Sequence, residues 1–379
     1  MTMKTRKLNT RKMGESAERL GLTQTKLAGI VGVSRETVSQ WMKGEKSPRP
    51  DKLLKLAMTL GLSFNDIVLT SPSVNEPIVA FRKKGSHKIT DQYLDEARDT
   101  GRVLANLVPY LPFEKFVKPR TLIHPQQEYT YIQSVAATIR AQIDKAAEQT
   151  IEFQDLIDFF NKLNAVIIPV LWGSKDKHEN ALHIYLPESM TTWIYLNLDC
   201  HIHDFKFWMA HELGHVLAPE LREDEGEDFA DAFAAALLVP QEIAASGYQH
   251  LRRTKLISLQ INHIKSVAEK LCVSPITVYL EINRHAIENK LPQIDLESHQ
   301  EIHKATTNFN KAYKTVSECL FDERTPSTSQ YIQSAAKHFS SPFFEALKTY
   351  LKENQKSPSF VQSVLRMSLL DARNIYEAL

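Results

Sequence analysis

The sequence predicts a mainly α protein with one small β-sheet. An all-α N-terminal helix-turn-helix unit comes first, then an α+β domain built around one metal-binding helix, then a helical C-terminal region. Three observations carry this. Apolar residues recur at helical spacing along most of the chain, and three short runs with strand character interrupt them. Near the N-terminus two short helical stretches meet at a glycine. Further on, His211-Glu212-Leu213-Gly214-His215 reads H-E-x-x-H inside an apolar helix.

Composition bounds the reading. At 379 residues the chain is long for one domain, so two or three are expected, and a hydrophobic content of 43% supports real cores. We divide it into 1–70, 71–128 (linker and helical connector), 129–289 (the domain carrying H-E-x-x-H) and 290–379. The net charge of +1 gives no global nucleic-acid signal, but residues 1–50 hold eleven Lys and Arg against four Glu. A basic end on a neutral chain points to a local nucleic-acid surface. Cys200, Cys272 and Cys319 are far apart and form no C-x-x-C. That argues against a disulfide framework and for a reducing, cytoplasmic setting. No apolar run approaches the ~20 residues that span a bilayer, so no membrane partner is expected. The basic start Met1 to Lys12 is followed by no apolar h-region, so it does not read as a secretory signal.

Residues 14–68 read as a compact helical unit. Thr25 to Val31 is apolar-periodic, Gly32 breaks it, and Val33-Ser34 starts a second helix over Arg35 to Met42, stopped by Gly44. Ala28, Gly32, Val38 and Trp41 stand where a helix-turn-helix needs a small residue at the crossing, a glycine in the turn and two apolar locks. Ser34 is placed to cap the second helix, although Thr37 stands where a capping box would have Glu. The pattern resembles the Xre/Cro-like repressor domains, and Pro48 to Val68 fits their closing helices. On that reading Arg35, Thr37 and Gln40 face base edges, Arg favouring guanine and Gln adenine. Gln24, Lys43 and Lys46 suit phosphates. A homodimer on an operator-like palindrome is expected, because one recognition helix reads too few bases. The alternative is a helix-turn-helix fold used for protein contacts alone.

Residues 71–90, with Ser71, Pro72, Ser73 and Pro77, read as a linker. Helices are expected over Asp91 to Leu107 and Tyr129 to Glu148, separated by the Pro-rich stretch Pro109 to Pro125, and over Glu152 to Leu163. Ala165 to Trp172 reads as a strand, and Ala181 to Leu186 with Thr192 to Leu198 as a hairpin. A small sheet beside the metal helix is where an extended peptide adds a strand.

On a helix His211 and His215 share one face and reach one cation, and Glu212 stands where the general base for a metal-activated water belongs. Two histidines leave a tetrahedral zinc site short of a protein ligand. The stretch downstream is acidic: Glu220, Glu223, Asp224, Glu225, Glu227, Asp228 and Asp231. Glu227 and Asp231, spaced i, i+4, suit a third ligand and a carboxylate that orients a ligating histidine. Glu223 is the alternative third ligand, and Cys200 a remoter one. His201, His203, Tyr248 and His250 flank the motif and are candidates to stabilise an oxyanion.

The line His211-Glu212-Leu213-Gly214-His215, then Glu227 through Ala230-Asp231, Phe233-Ala234-Ala235, Leu237-Leu238 and Pro240, resembles the ImmA/IrrE metallopeptidase family. Its pattern is HELGH, then E-x-x-A-[ND]-x-F-A-A-x-L-L-x-P, and every fixed position is met. The resemblance covers Glu152 to Arg284. It implies a zincin-like zinc endopeptidase with one zinc per chain on His211, His215 and Glu227, and Glu212 as base. Known members cut helix-turn-helix repressors, so the implied substrate is a repressor or antitoxin-like protein in a stress, phage or toxin–antitoxin setting. The element Phe81-Arg82-Lys83-Lys84 also resembles fused members of that family. The rival reading is a non-catalytic regulator or antitoxin whose zinc domain senses a signal or holds a partner. Self-cleavage within 71–90 is a third.

From Ser258 the chain is helical again. Val267 to Val278 has a second helix-turn-helix look without the turn glycine, and reads as packing within the second domain. Residues 290–379 read as amphipathic helices with no visible chemistry, and Phe343, Phe344, Leu347 and Tyr350 as core.

Overall fold

The computed structural model describes residues 7–63, 67–69, 76–80, 91–113, 121–173, 180–219, 221, 223–298, 300–321 and 326–379. The chain divides into two compact units, Met1–Glu76 and Pro77–Leu379. The class is the one expected: N-terminal helix-turn-helix helices, then an α+β body with one four-stranded sheet, then a helical C-terminal part.

The first unit runs β1 (Lys7–Leu8), α1 (Thr10–Arg19), α2 (Gln24–Val31), α3 (Arg35–Met42), α4 (Pro50–Leu60) and β2 (Val68–Leu69), with β1 and β2 antiparallel. The Thr23 hydroxyl caps α2 by accepting from the Lys26 N–H at 3.3 Å. Gly32 ends that helix at φ +76°, a left-handed conformation that a Cβ disfavours. Lys52 Nζ then donates to the carbonyls of Val31 and Gly32, at 3.1 and 3.3 Å, satisfying groups the helix end leaves over. Ser34 caps α3 by accepting from the Thr37 N–H at 3.2 Å. Val38 and Trp41 are buried with Met13, Leu27, Val31, Leu56 and Leu60 in a core of the unit's own.

The second unit opens with β3 (Ile78–Ala80), α5 (Asp91–Leu104) and a 3-10 turn (Ala105–Tyr110). Then come α6 (Tyr129–Gln142), α7 (Phe153–Lys162), β4 (Ala165–Val170), β5 (Ala181–Leu186) and β6 (Thr191–Asn197). The sheet order is β3-β5-β6-β4. β5 and β6 form the expected antiparallel hairpin, and β4 lies parallel to β6. Pro169 sits within β4 because β4 is an edge strand, where a missing N–H costs no ladder bond. The carbonyls of that edge are taken by side chains from the C-terminal part: Tyr331 donates to Pro169 at 2.5 Å and Ser341 to Ile167.

Two expectations are corrected. Ile78–Ala80, assigned to the linker, is an edge strand antiparallel to β5. Three residues are too few to show a period. Residues 71–75 and 81–90, with Phe81-Arg82-Lys83-Lys84, lie outside the described residues. Residues 290–379 are no separate region: their helices α13 (Glu301–Lys311), α14 (Val316–Leu320), α15 (Thr328–Phe339), α16 (Phe343–Glu353), α17 (Pro358–Leu365) and α18 (Leu369–Ala378) join the same core as the sheet. Trp172 and Tyr195 bind the Leu365 and Val364 carbonyls at 3.0 and 2.6 Å. These contacts link positions over 160 residues apart, beyond any local pattern.

Between them lie α8 (Ile202–Leu217), α9 (Glu223–Leu238), α10 (Gln241–Arg253), α11 (Ile257–Leu271) and α12 (Pro275–Glu288). The second helix-turn-helix look spans α11 and α12, with Cys272 taking the left-handed turn at φ +53° and Ala268, Leu271, Val273 and Val278 buried inside the unit. Among the described residues no single helix is long and apolar enough to cross a membrane.

Candidate functional site

Helix α8 is buried over nearly its whole length and carries His211, Glu212 and His215, which are 1%, 4% and 5% exposed. The i, i+4 spacing brings His211 Nε2 within 3.0 Å of His215 Nε2. Glu227 comes from α9. Its Oε2 lies 3.5 Å from His211 Nε2 and its Oε1 3.4 Å from His215 Nε2. The three ligand atoms all lie within 4.8 Å of one another, and no other such cluster occurs among the described residues. His211 Nδ1 donates to Asp231 Oδ1 at 2.9 Å, which orients the ring with Nε2 toward His215 and Glu227. The side chain of Glu223, the alternative ligand, lies outside the described residues.

Gly214 explains how α9 comes so near. A Cβ there would meet Ala230 Cα at 2.8 Å, Ala230 Cβ at 3.2 Å and Phe233 Cδ1 at 3.3 Å. The first of these atoms is backbone and gives only if the helices part. Gly214→Ala is therefore expected to destabilise the second unit by about 1–3 kcal/mol, the range for overpacking. A drop in its thermal midpoint would show this, and an unchanged midpoint would mean that the helix contact is slack.

In this buried pocket Glu212 Oε2 finds no hydrogen-bond partner in the protein, and Glu227 Oε2 has only the His211 Nε2 contact at 3.5 Å. A buried polar oxygen of this kind is costly unless a cation or donor meets it. The electrostatics agree. Burial pushes Glu212 up to about 8, with Glu227 adding to the rise and His211 opposing it. Burial pulls His211 down, but hydrogen bonds to Asp231 and Glu227 outweigh it and hold the imidazole up at about 9. Burial likewise pushes Glu227 up, but hydrogen bonds to His211 and His215 bring it below the usual carboxylate range. Two imidazoles with one carboxylate are donors suited to zinc.

The candidate oxyanion groups are engaged elsewhere. His201 Nδ1 faces the Tyr313 carbonyl at 3.2 Å, and His203 packs edge-on to Phe309 and Tyr313. Tyr248 donates to the Pro292 carbonyl at 2.9 Å, and His250 stacks on His263. Cys200 is buried with its thiol on the Asn197 carbonyl, outside the three-residue cluster. The residue that sequence reasoning passed over is His183 on β5. Its ring centroid is 5.8 Å from that of His215, and neither of its buried ring nitrogens has a hydrogen-bond partner in the protein. A histidine inside a buried strand, followed by the H-E-x-x-H helix, was the available signal.

In the first unit Arg35 opens α3 and Lys43 closes it, both exposed, while Gln24, Thr37 and Gln40 are half-buried. The Thr37 hydroxyl lies 3.1 Å from that of Ser34, so part of its hydrogen-bonding capacity goes to the cap. Lys46 is exposed beyond the helix end.

Residues 16–67 match the family described as helix-turn-helix, and residues 165–283 match the peptidase family described as the IrrE N-terminal-like domain. These are the two resemblances drawn from the motifs, and the second match contains His211, Glu212, His215, Glu227 and Asp231. No curated protein and no solved structure matches the chain. Together the two matches describe a DNA-binding regulator that carries a protease-like domain.

Proposed function

We propose that the chain is a zinc metallo-endopeptidase regulator that cleaves a repressor or antitoxin-like protein to control transcription. One zinc per chain is held by His211, His215 and Glu227, and Asp231 orients His211. The observation that carries this reading is the convergence of two imidazole nitrogens and one carboxylate beside the buried, unpartnered Oε2 of Glu212. Zinc supplies Lewis acidity toward the scissile carbonyl and the attacking water. Glu212 takes the proton as the water oxygen bonds to the carbonyl carbon, then passes it to the amide nitrogen as the C–N bond breaks. Burial, with Glu227 beside it, raises the Glu212 carboxyl to about 8. Added positive charge beside it favours the ionised form that serves as base. His183, buried against His215 with both nitrogens free of protein partners, is placed to donate to the substrate.

The test is zinc-loaded protein incubated with the repressors of its own cell and with itself, followed by mass spectrometry. New fragments that vanish when the metal is stripped are expected. Intact repressors and intact chain under both conditions would defeat the reading.

The helix-turn-helix unit is proposed to bind its operator as a homodimer. Arg35→Ala is expected to weaken specific binding by about 1–3 kcal/mol and to relax one base position. Lys43→Ala should weaken all sequences alike and lower the salt slope by about one. Titrations at several salt concentrations on operator and random DNA separate the two. An unchanged sequence preference in Arg35→Ala would show that α3 does not read bases through that residue.

A further inference from the structure

We propose that the outer edge of β5 is the peptide-binding edge of the metal site, and that the chain's own Ile78–Ala80 holds it in cis. The proposal rests on the peptidase reading above and adds how that site is closed. A strand edge offers unpaired N–H and C=O groups, and an extended peptide binds by completing the ladder. Without β3 the sheet order is β5-β6-β4, and its two edges are those of β5 and β4. The β4 edge is satisfied by side chains, since Tyr331 and Ser341 take the Pro169 and Ile167 carbonyls. The edge beside the metal cluster is that of β5, because β5 carries His183 and the His183 ring lies 5.8 Å from that of His215.

That edge is filled by β3. Its pairs are Ile78 with Tyr185, Val79 with Ile184 and Ala80 with His183, all antiparallel. β3 also lies against α9, the helix that supplies Glu227. The chain's own backbone thus takes the course an extended substrate would take past the cluster. The occupant is short, with three register pairs and half-buried Ile78 and Val79. Its anchor is the preceding Pro77, which is buried, and Pro77 directly follows Glu76, the last residue of the first unit. The segment that closes the site is therefore the one that joins the DNA-binding unit to the body. A substrate strand and this connector exclude each other from the edge, which holds the peptidase back until β3 is displaced.

Gly101 on α5 gives a handle that touches no ligand and no base. A Cβ there would meet Pro77 Cβ at 2.6 Å, Pro77 Cγ at 2.8 Å and Ile184 Cγ2 at 3.0 Å. Gly101→Ala improves the helix by propensity while pushing Pro77 out of its seat.

The experiment uses the full chain, zinc-loaded and carrying Glu212→Gln so that nothing is cut. The probe is a fluorescein-labelled peptide of residues 74–84 of this sequence, followed by anisotropy. If the edge is open about a tenth of the time or less, apparent affinity is weakened about tenfold or more, and Gly101→Ala should restore that factor. The same peptide carrying Val79→Pro should not bind, since proline cannot continue the ladder. Amide exchange at 183–185 should be slow in the parent, faster in Gly101→Ala and slow again with peptide bound. Should Gly101→Ala lose its helical circular dichroism, Ile78→Asp with Val79→Asp is expected to give the same gain. A folded variant with unchanged peptide affinity and unchanged exchange at 183–185 would overturn the proposal and make β3 a permanent strand. No readout depends on cleavage, so that result leaves the peptidase reading standing.

Discussion

Glu212→Gln is expected to lower peptide cleavage by about a hundredfold or more, the scale of a lost general base, while fold and zinc content stay at the parent level. The change is nearly isosteric, and Gln cannot take a proton from water. Glu212 is 4% exposed and its Oε2 has no protein partner, so no packing or hydrogen bond in the protein depends on that oxygen's charge. It is not one of the three residues whose ligand atoms converge. The expected result is intact metal with absent turnover, read by elemental analysis and by the rate of fragment appearance. Cleavage at the parent rate would remove Glu212 from the role of base.

His215→Ala is expected to do the opposite and take zinc from one per chain to near none. His211 and Glu227 would remain, and two ligands on separate helices do not make the four-coordinate shell that zinc takes. Glu227 would also lose its contact at 3.4 Å while staying mostly buried, so the second unit should lose stability as well. Asp231→Ala marks the scale: it spares all three donors and removes only the hydrogen bond that orients His211, so metal affinity should fall by about 10–100-fold. Because hydrogen bonds to Asp231 and Glu227 hold His211 up at about 9, zinc must displace a proton at neutral pH. Affinity should rise about tenfold per pH unit from pH 7 toward 9 and level off above. Equal zinc in His215→Ala and parent would remove the ligand set.

The parts of this architecture that were readable in advance are those with local periodicity. Gly32, Val38 and Trp41 mark the helix-turn-helix through a turn and two buried locks a few residues apart. His211, His215, Glu227 and Asp231 are readable because each pair is spaced i, i+4 on its own helix. What was not readable depends on distant chain. Ile78–Ala80 becomes a strand only because β5 offers an edge, and Pro77 beside it reads locally as a linker residue. Tyr331 in a helix and Ser341 between two helices look ordinary until β4 brings its carbonyls to them. His201, His203, Tyr248 and His250 were drawn in by nearness in sequence to the motif, whereas His183, nearly 30 residues before it, reaches His215 through the sheet.

The central claim is that the buried site acts by chemistry and not merely by holding a metal. It is tested most directly by induction of the controlled genes in cells carrying Glu212→Gln, beside cells carrying His211→Ala. We expect induction to fail in both, with operator binding by the first unit intact in Glu212→Gln. Normal induction in Glu212→Gln cells, lost only when His211→Ala removes the metal, would contradict the proteolytic account and leave a metal-dependent sensor in its place.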